Sequence, residues 1–178
     1  MYIVEGNIGA GKTTFLSLMT HSLLGVRAVY EPLVNWHDEH GDSSLLNNFY
    51  EHPSRWAYTI ETLTMKRRFM DHLTQISDDK NESAVIMERS MYSGYYCFAA
   101  NGYKNGLLSP LEWAMYSQWF TFLISQCALP RGFIYLKVDP EVSYERIRKR
   151  NRIGEKSISF DYVRDLHLRH DSFGRFFR

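Results

Sequence analysis

Gly6-Asn7-Ile8-Gly9-Ala10-Gly11-Lys12-Thr13 matches the pattern G-x-x-x-x-G-K-[ST] at every fixed position. The apolar run Tyr2-Ile3-Val4 before it reads as a short buried strand, and the residues from Lys12 to about Leu24 read as a helix. That strand–turn–helix setting is the one the motif requires. Its glycines let successive backbone N–H groups converge on one anion, and the helix dipole adds positive potential there. Lys12 is positioned to reach the β- and γ-phosphates of a nucleoside triphosphate, and Thr13 to offer its hydroxyl to Mg²⁺, with Thr14 completing the phosphate-binding set.

Working outward, strands and helices alternate. A second strand covers Arg27 to Tyr30 and stops at Glu31-Pro32, and a polar connection through His37, Asp38, Glu39 and Gly41 leads to a short helix ending near Tyr50. A long helix runs from Ser54 to about Ser77, with Trp56, Ile60, Leu63, Arg67 and Met70 on one broad side. Ala84 to Met87 is a third strand ending at Glu88-Arg89-Ser90, where Ser90 can cap a helix over Tyr92 to Ala100. Ser109-Pro110 supplies an N-cap and first-turn proline for the helix carrying Trp113 and Trp119. A fourth strand (Phe133 to Val138) and helices over Pro140 to Arg150 and Phe160 to about Phe173 complete the pattern. This alternation predicts an α/β fold of the P-loop NTPase type. Its mainly parallel central sheet has four or five strands flanked by helices, with functional loops at the strand C-termini.

A chain of 178 residues fits one domain spanning 1–178. Lys plus Arg number 21 against 20 Asp plus Glu, too even a balance for a duplex-binding surface, so no nucleic-acid partner is expected. Cys97 and Cys127 lie in apolar stretches without ligand spacing and read as free thiols in a reducing, cytoplasm-like compartment. A strand directly at the N-terminus leaves no room for a signal peptide. The most apolar window, Trp113 to Leu129, is broken by Ser117, Gln118, Ser125 and Gln126 and falls short of a membrane span. The His37/His40 and His167/His170 pairs lack a third ligand and read as loop or surface histidines.

A GTPase would need D-x-x-G near the third strand and N-K-x-D for the base. Asp38–Gly41 and Asp171–Gly174 fit the first by spacing but lie in a loop and near the C-terminus, and the second motif does not occur. A different set of residues follows the phosphate loop in order. These are Glu31-Pro32 with Trp36, Tyr50 and Trp56 with Glu61 and Arg68, Glu88-Arg89-Ser90, and the stretch Arg146, Arg148, Lys149, Arg150, Arg152. In that order they resemble the deoxynucleoside kinase family (deoxycytidine, deoxyguanosine and mitochondrial thymidine kinases and the insect multisubstrate enzyme), from Tyr2 to about Phe173. The resemblance implies transfer of the ATP γ-phosphate to a deoxynucleoside 5′-OH, with Mg²⁺, in nucleotide salvage. Members of that family continue past the position of Arg178 with a strand and helix that help hold the donor base.

The resemblance also implies roles. A lone Glu31 would read as an exposed turn carboxylate, but with Pro32 and Trp36 at the family's spacing it is the general base for the 5′-OH. Arg89 would contact the 5′-oxygen and the transferring phosphate, and Glu88 the magnesium site through water; the residues alone also allow a strand-end ion pair, with Ser90 merely a cap. The arginine-rich stretch reads alone as a solvated helix face or a localisation signal. In the family it is a lid, here about 146–157, in which Arg146, Arg150 and Arg152 close over the donor phosphates as arginine fingers supplied in cis.

For the nucleoside, the family positions are Tyr50 and Glu155 at the 3′-OH, and Trp36, Leu46, Phe49, Ile60 and Phe98 around the base. Glu61, Thr64 and Arg68 fall at i, i+3 and i+7, a stripe that reads either as a solvated face or as a reader of the base edge. The family normally has Gln where this chain has Glu61. A carboxylate offers two acceptors, which match guanine's N1–H and N2–H₂ while Arg68 serves O6. Thymine, cytosine and adenine would each be mismatched unless Glu61 is protonated or water intervenes. Glu61 thus leans toward deoxyguanosine or deoxyinosine. Gly94, where deoxycytidine and deoxyguanosine kinases place Asp, leaves room for a 5-methyl group and removes an anchor for Arg68, which pulls toward thymidine or broad specificity.

The apolar surfaces of the helices over 54–77 and 109–127 exceed what one small core needs, and in the family these helices build a homodimer. Two other readings compete. A nucleoside-monophosphate kinase of the thymidylate type shares the fold but would set its acceptor phosphate against Glu31. A non-catalytic nucleotide- or nucleic-acid-binding module would use the Arg146–Arg152 run.

Overall fold

The computed structural model describes residues 1–31, 45–77, 84–152 and 155–175. Trp36 and the polar connection with His37 and His40 lie outside the described residues, as do 153–154 of the expected lid.

Four parallel strands form the sheet among the described residues, in the order β2-β3-β1-β4. They are β1 (Tyr2–Gly6), β2 (Val26–Val29), β3 (Ala84–Glu88) and β4 (Gly132–Leu136). β1 is central, pairing with β3 on one side and β4 on the other, and its Ile3 and Val4 are fully buried. Strands covered on both faces read as unbroken apolar runs, which is why Tyr2-Ile3-Val4 was legible. Helix α1 (Lys12–Ser22) lays Leu16 against Val4 and Ile86 beneath the sheet.

Helices α2 (Leu45–Glu51) and α3 (Pro53–Ser77) pack on each other through Phe49, Ala57 and Ile60. After β3 the chain is helical from Met91 to Lys104, comprising α4 (Met91–Ser93), a π-helical stretch (Gly94–Ala99) and α5 (Ala100–Lys104). Ser90 caps it, its hydroxyl accepting from the Ser93 N–H. Helix α6 (Pro110–Ser125) begins as expected, with Ser109 and Glu112 capping each other's backbone N–H and Pro110 in the first turn. Met65 of α3, Met91, Ala99, and Tyr116 and Phe120 of α6 close a second core. Helices α7 (Pro140–Arg150) and α8 (Phe160–Arg175) follow β4. No helix among the described residues is long and apolar enough to cross a membrane.

Several element bounds differ from the sequence expectation. β4 ends at Leu136, where its partner β1 ends at Gly6, and the Lys137 side chain beyond it pairs with Asp171 of α8 at 2.6 Å. β2 starts one residue early, at Val26, paired with Ala84. The helix after Ser90 extends past Ala100 and widens to π pitch on the way. Parallel strands put Gly6, Glu88 and, two residues beyond β2, Glu31 at the C-terminal end of the sheet, which is where α/β folds assemble their sites.

Candidate active site

The phosphate loop folds as its composition requires. Gly11 caps α1 with φ of 90°, a left-handed conformation that side chains resist. Gly9 has φ of 79°, and a Cβ there would lie 2.4 Å from the Ser143 carbonyl oxygen, so only glycine lets the loop touch α7. Asn7 ties the loop to α8, its side-chain amide donating to the Val163 carbonyl at 2.9 Å. Lys12 curls back, donating to the Gly6 and Asn7 carbonyls at 3.2 and 2.9 Å. Burial, with Arg89 adding to it, lowers its ammonium to about 7.

Across the loop, the Thr13 hydroxyl donates to the Glu88 carboxylate, 3.0 Å from each oxygen. A hydroxyl beside a carboxylate is an oxygen donor pair suited to Mg²⁺, which takes one or two protein ligands and fills its shell with phosphates and water.

Arg89 has φ of 65°, unusual for a residue with a side chain, and its backbone N–H donates to the Val4 carbonyl at 2.9 Å. Ser90 next to it hydrogen-bonds the buried Glu5 of β1. So fixed, the Arg89 guanidinium donates to Glu31 at 3.0 Å and to the Gly6 carbonyl at 3.1 Å, and stacks on the Phe98 ring with 4.7 Å to its centroid. Arg68 donates to the other Glu31 oxygen at 2.7 Å. Burial alone would raise the Glu31 carboxyl, but Arg68 and Arg89 outweigh it and hold it down to about 2.

These groups border a cavity of about 330 Å³. On the phosphate side it is lined by Ile8, Gly9, Gly11, Lys12, Thr13 and Thr14. Glu31, Glu88 and Arg89 form its floor, and Leu46, Phe49 and Tyr50 of α2 one wall. Ile60, Glu61, Thr64 and Arg68 of α3, packed against α2, line it as well, with Phe98. Arg150, Arg152 and Glu155 close the remaining side, with Arg150 bound to Glu155 at 2.7 Å. Burial, with Glu155 nearby, raises the Tyr50 phenol above its usual range.

Arg146 and Gly94 do not line the cavity. Trp36 is outside the described residues. The Arg146 guanidinium lies against the phosphate loop, 3.5 Å from the Gly9 and Ala10 carbonyls. Gly94 is not on the cavity wall; the Arg68 guanidinium occupies the space where its side chain would be, an added Cβ lying 2.8 Å from an Arg68 terminal nitrogen and 3.5 Å from the Tyr116 hydroxyl. Two residues were missed. Tyr162 of α8 lines the cavity edge-on to Tyr50, with ring centroids 6.3 Å apart, and Glu5 underpins Ser90. Nothing local distinguishes Tyr162 from any aromatic on an amphipathic helix, whereas a Glu inside an apolar strand was a visible anomaly.

Glu61 is buried on the cavity wall. Among the described residues no cation lies within ion-pair distance of it, because Arg68 on the same helix is engaged with Glu31. Burial raises its carboxyl to about 8, against the opposing pull of Arg68 and Arg89.

A phosphate loop facing an arginine-held carboxylate across a nucleoside-sized cavity agrees with the comparisons with known proteins. The sequence model of the family described as "Deoxynucleoside kinase" matches residues 2–176. The chain belongs to the deoxynucleoside kinase family. It is similar to the mitochondrial deoxyguanosine kinase of Xenopus laevis, at 35% identity over 95% of this chain and 71% of that protein. It is also similar to deoxycytidine kinase 2 of Gallus gallus, at 33% identity over 95% of this chain and 71% of the relative. The probable deoxycytidine kinase of fowlpox virus is 32% identical over 94% of this chain and 68% of its own length. This deoxynucleoside kinase is accordingly a phosphotransferase with ATP as phosphate donor, acting in deoxynucleoside salvage.

Proposed function

We propose that the kinase transfers the γ-phosphate to the 5′-hydroxyl of a deoxynucleoside lying in the cavity, with Glu31 accepting that hydroxyl's hydrogen bond and then its proton. The observation that carries this reading is the position of the Glu31 carboxylate, held ionised by Arg68 and Arg89 on the cavity floor beside the phosphate loop. A carboxyl held near 2 is a weak base. Phosphoryl transfer through a loose transition state asks mainly that the hydroxyl be aligned, its proton leaving late.

Lys12 and the loop amides hold the β- and γ-phosphates, whose charge would compensate the buried ammonium and restore its proton. Thr13 and, through water, Glu88 would hold Mg²⁺, which would supply charge neutralisation for the donor phosphates. Arg89 orients Glu31 and faces the transferring phosphoryl group. Arg146, Arg150 and Arg152 act from a lid at about 146–157, within one domain spanning 1–178. Tyr50 and Glu155 receive the 3′-OH, and Leu46, Phe49, Ile60 and Phe98, with Trp36, hold the base. Glu61 and Arg68 read its edge, and Gly94 acts on it through Arg68. Free thiols at Cys97 and Cys127 fit a reducing, cytoplasm-like compartment.

A second copy would cover the exposed Leu63 and Met70 of α3 and Met115, Trp119 and Phe122 of α6, giving a two-fold dimer. The monophosphate-kinase reading fares poorly, because an acceptor phosphate would meet the ionised Glu31. The test is a comparison of nucleoside and nucleotide acceptors with wild type and Glu31→Gln. Wild type turns over nucleosides, and the variant loses about 10²- to 10⁴-fold in kcat while still binding ATP. Equal use of monophosphates, or an active variant, overturns the reading.

A further inference from the structure

Glu61 stands on the cavity wall among Ile60, Phe98, Phe49 and Leu46, with no ion-pair partner among the described residues. The cation beside it on the cavity wall, Arg68, is used elsewhere, with one terminal nitrogen 2.7 Å from Glu31 and the other filling the space beside Gly94. A buried carboxyl without a partner avoids the cost of its charge by keeping its proton. Resting on the kinase reading above, we infer that Glu61 meets the nucleobase as a neutral carboxylic acid. In that form it pairs with the donor–acceptor edges of thymine, cytosine, adenine and guanine alike, whereas its ionised form accepts guanine alone.

The argument is one of donors and acceptors. A neutral carboxyl has one O–H donor and one carbonyl acceptor side by side. Thymine and guanine offer N–H beside C=O, while cytosine and adenine offer an amino group beside a ring-nitrogen acceptor. An amide would have to rotate to serve both orders, but a carboxylic acid need only carry its proton on the other oxygen. The ionised group is two acceptors and matches only the N1–H and N2–H₂ of guanine. Against the other bases it faces a lone pair, and an unpaired buried acceptor is the kind of mismatch that discriminates strongly.

The groups facing Glu61 agree with this. Arg68 and Arg89 draw its carboxyl down and Glu31 pushes it up, but burial dominates and lifts it to about 8. The titratable groups around it are Tyr50 of α2, Tyr116 of α6 and Tyr162 of α8, all three phenols raised by burial and by Glu61 itself among other groups. They are neutral over the relevant range and add no charge. Near neutral pH the kinase therefore selects bases by the shape of the apolar walls, with thymidine and deoxycytidine among its substrates.

The experiment compares thymidine with deoxyguanosine in wild type and Glu61→Gln from about pH 6 to about pH 9.5, by kcat/KM and by equilibrium binding of each nucleoside without ATP. Taking the thymidine-to-deoxyguanosine ratio cancels titrations shared by both substrates, such as that of Lys12. In wild type the ratio is level at low pH and falls about tenfold per pH unit above about 8. In Glu61→Gln it stays level throughout, near the low-pH value of wild type. A wild-type ratio independent of pH, a ratio favouring deoxyguanosine at every pH, or the same fall in Glu61→Gln overturns the inference. Absence of turnover with every nucleoside would instead overturn the kinase reading, and the binding ratios would still decide the protonation of Glu61.

Discussion

The Arg68 guanidinium donates to Glu31 at 2.7 Å, so the residue proposed to read the base also holds the carboxylate proposed to face the acceptor hydroxyl. The two come from α3 and the end of β2, and Arg89 completes the clamp at 3.0 Å. In the proposed roles, base recognition and 5′-OH activation would share one side chain. Withdrawal of Arg68 toward a bound base would leave Glu31 with one cation instead of two and make it a stronger base.

Removing Arg68 tests this coupling. Arg68→Met raises the Glu31 carboxyl from about 2 toward its ordinary range. Glu31 must be ionised to act, so the acid limb of kcat/KM moves up by on the order of one pH unit. A pH–rate profile whose acid limb does not move refutes the coupling.

Gly94→Ala acts on the same pair from behind. Its Cβ would lie 2.8 Å from an Arg68 terminal nitrogen, and a flexible guanidinium yields more readily than backbone does. The acid limb shifts in the same direction as in Arg68→Met, by less. Combining the two changes adds nothing further, since they perturb one contact, and a double-mutant cycle on the profiles measures that.

Glu61 has a stability signature apart from substrate. Its folded carboxyl sits near 8 against 4.5 for the ordinary group, so between those values the folded state holds a proton that the unfolded state has released. Stability is then lost as pH rises, at up to about 1.4 kcal/mol per unit, until the folded group ionises. Glu61→Gln removes that slope. Its melting temperature relative to wild type climbs from about pH 5 to about pH 8 and then levels, as thermal unfolding at several pH values will show.

Gly9→Ala forces a Cβ into the Ser143 carbonyl oxygen at 2.4 Å and into a left-handed backbone. The loop and α7 must separate, at a cost of about 1–3 kcal/mol or more. A lowered melting temperature together with loss of ATP binding is expected, while nucleoside binding is less affected.

Trp119 and Phe122 expose 49% and 57% of their surface on one face of α6. Trp119→Glu is expected to convert the proposed dimer to monomer, read by sedimentation. A monomeric wild type refutes the interface.

Much of the frame was readable because it rests on local rules. The phosphate loop needs its glycines wherever it occurs, Ser109-Pro110 with Glu112 is a helix start in any context, and Glu88-Arg89-Ser90 ends a strand that apolar residues announce. The rest was hidden because it rests on distant contacts. Seven positions apart on α3, Glu61 and Arg68 read as one polar stripe, yet Glu31 from beyond β2 claims the arginine. Gly94 looked like room for a substrate methyl group, and the room is filled by that same arginine. Tyr162 reaches the cavity from α8, which a hydrogen bond from Asn7 ties to the distant phosphate loop.

The π-helical stretch Gly94–Ala99 carries a consequence for how this kinase can vary. Such a turn holds one residue more than α-helical pitch provides for. Deleting a residue there would let the helix relax to regular pitch, while adding one would rotate everything beyond it by about 100°. Phe98, against which Arg89 stacks, lies inside the stretch, and Asn101, buried beyond it, would turn with α5. Substitutions in this segment can adjust the pocket, but its length is bound to the orientation of the helix that follows, so insertions and deletions should be far less tolerated here than in the exposed turn at Asn105-Gly106.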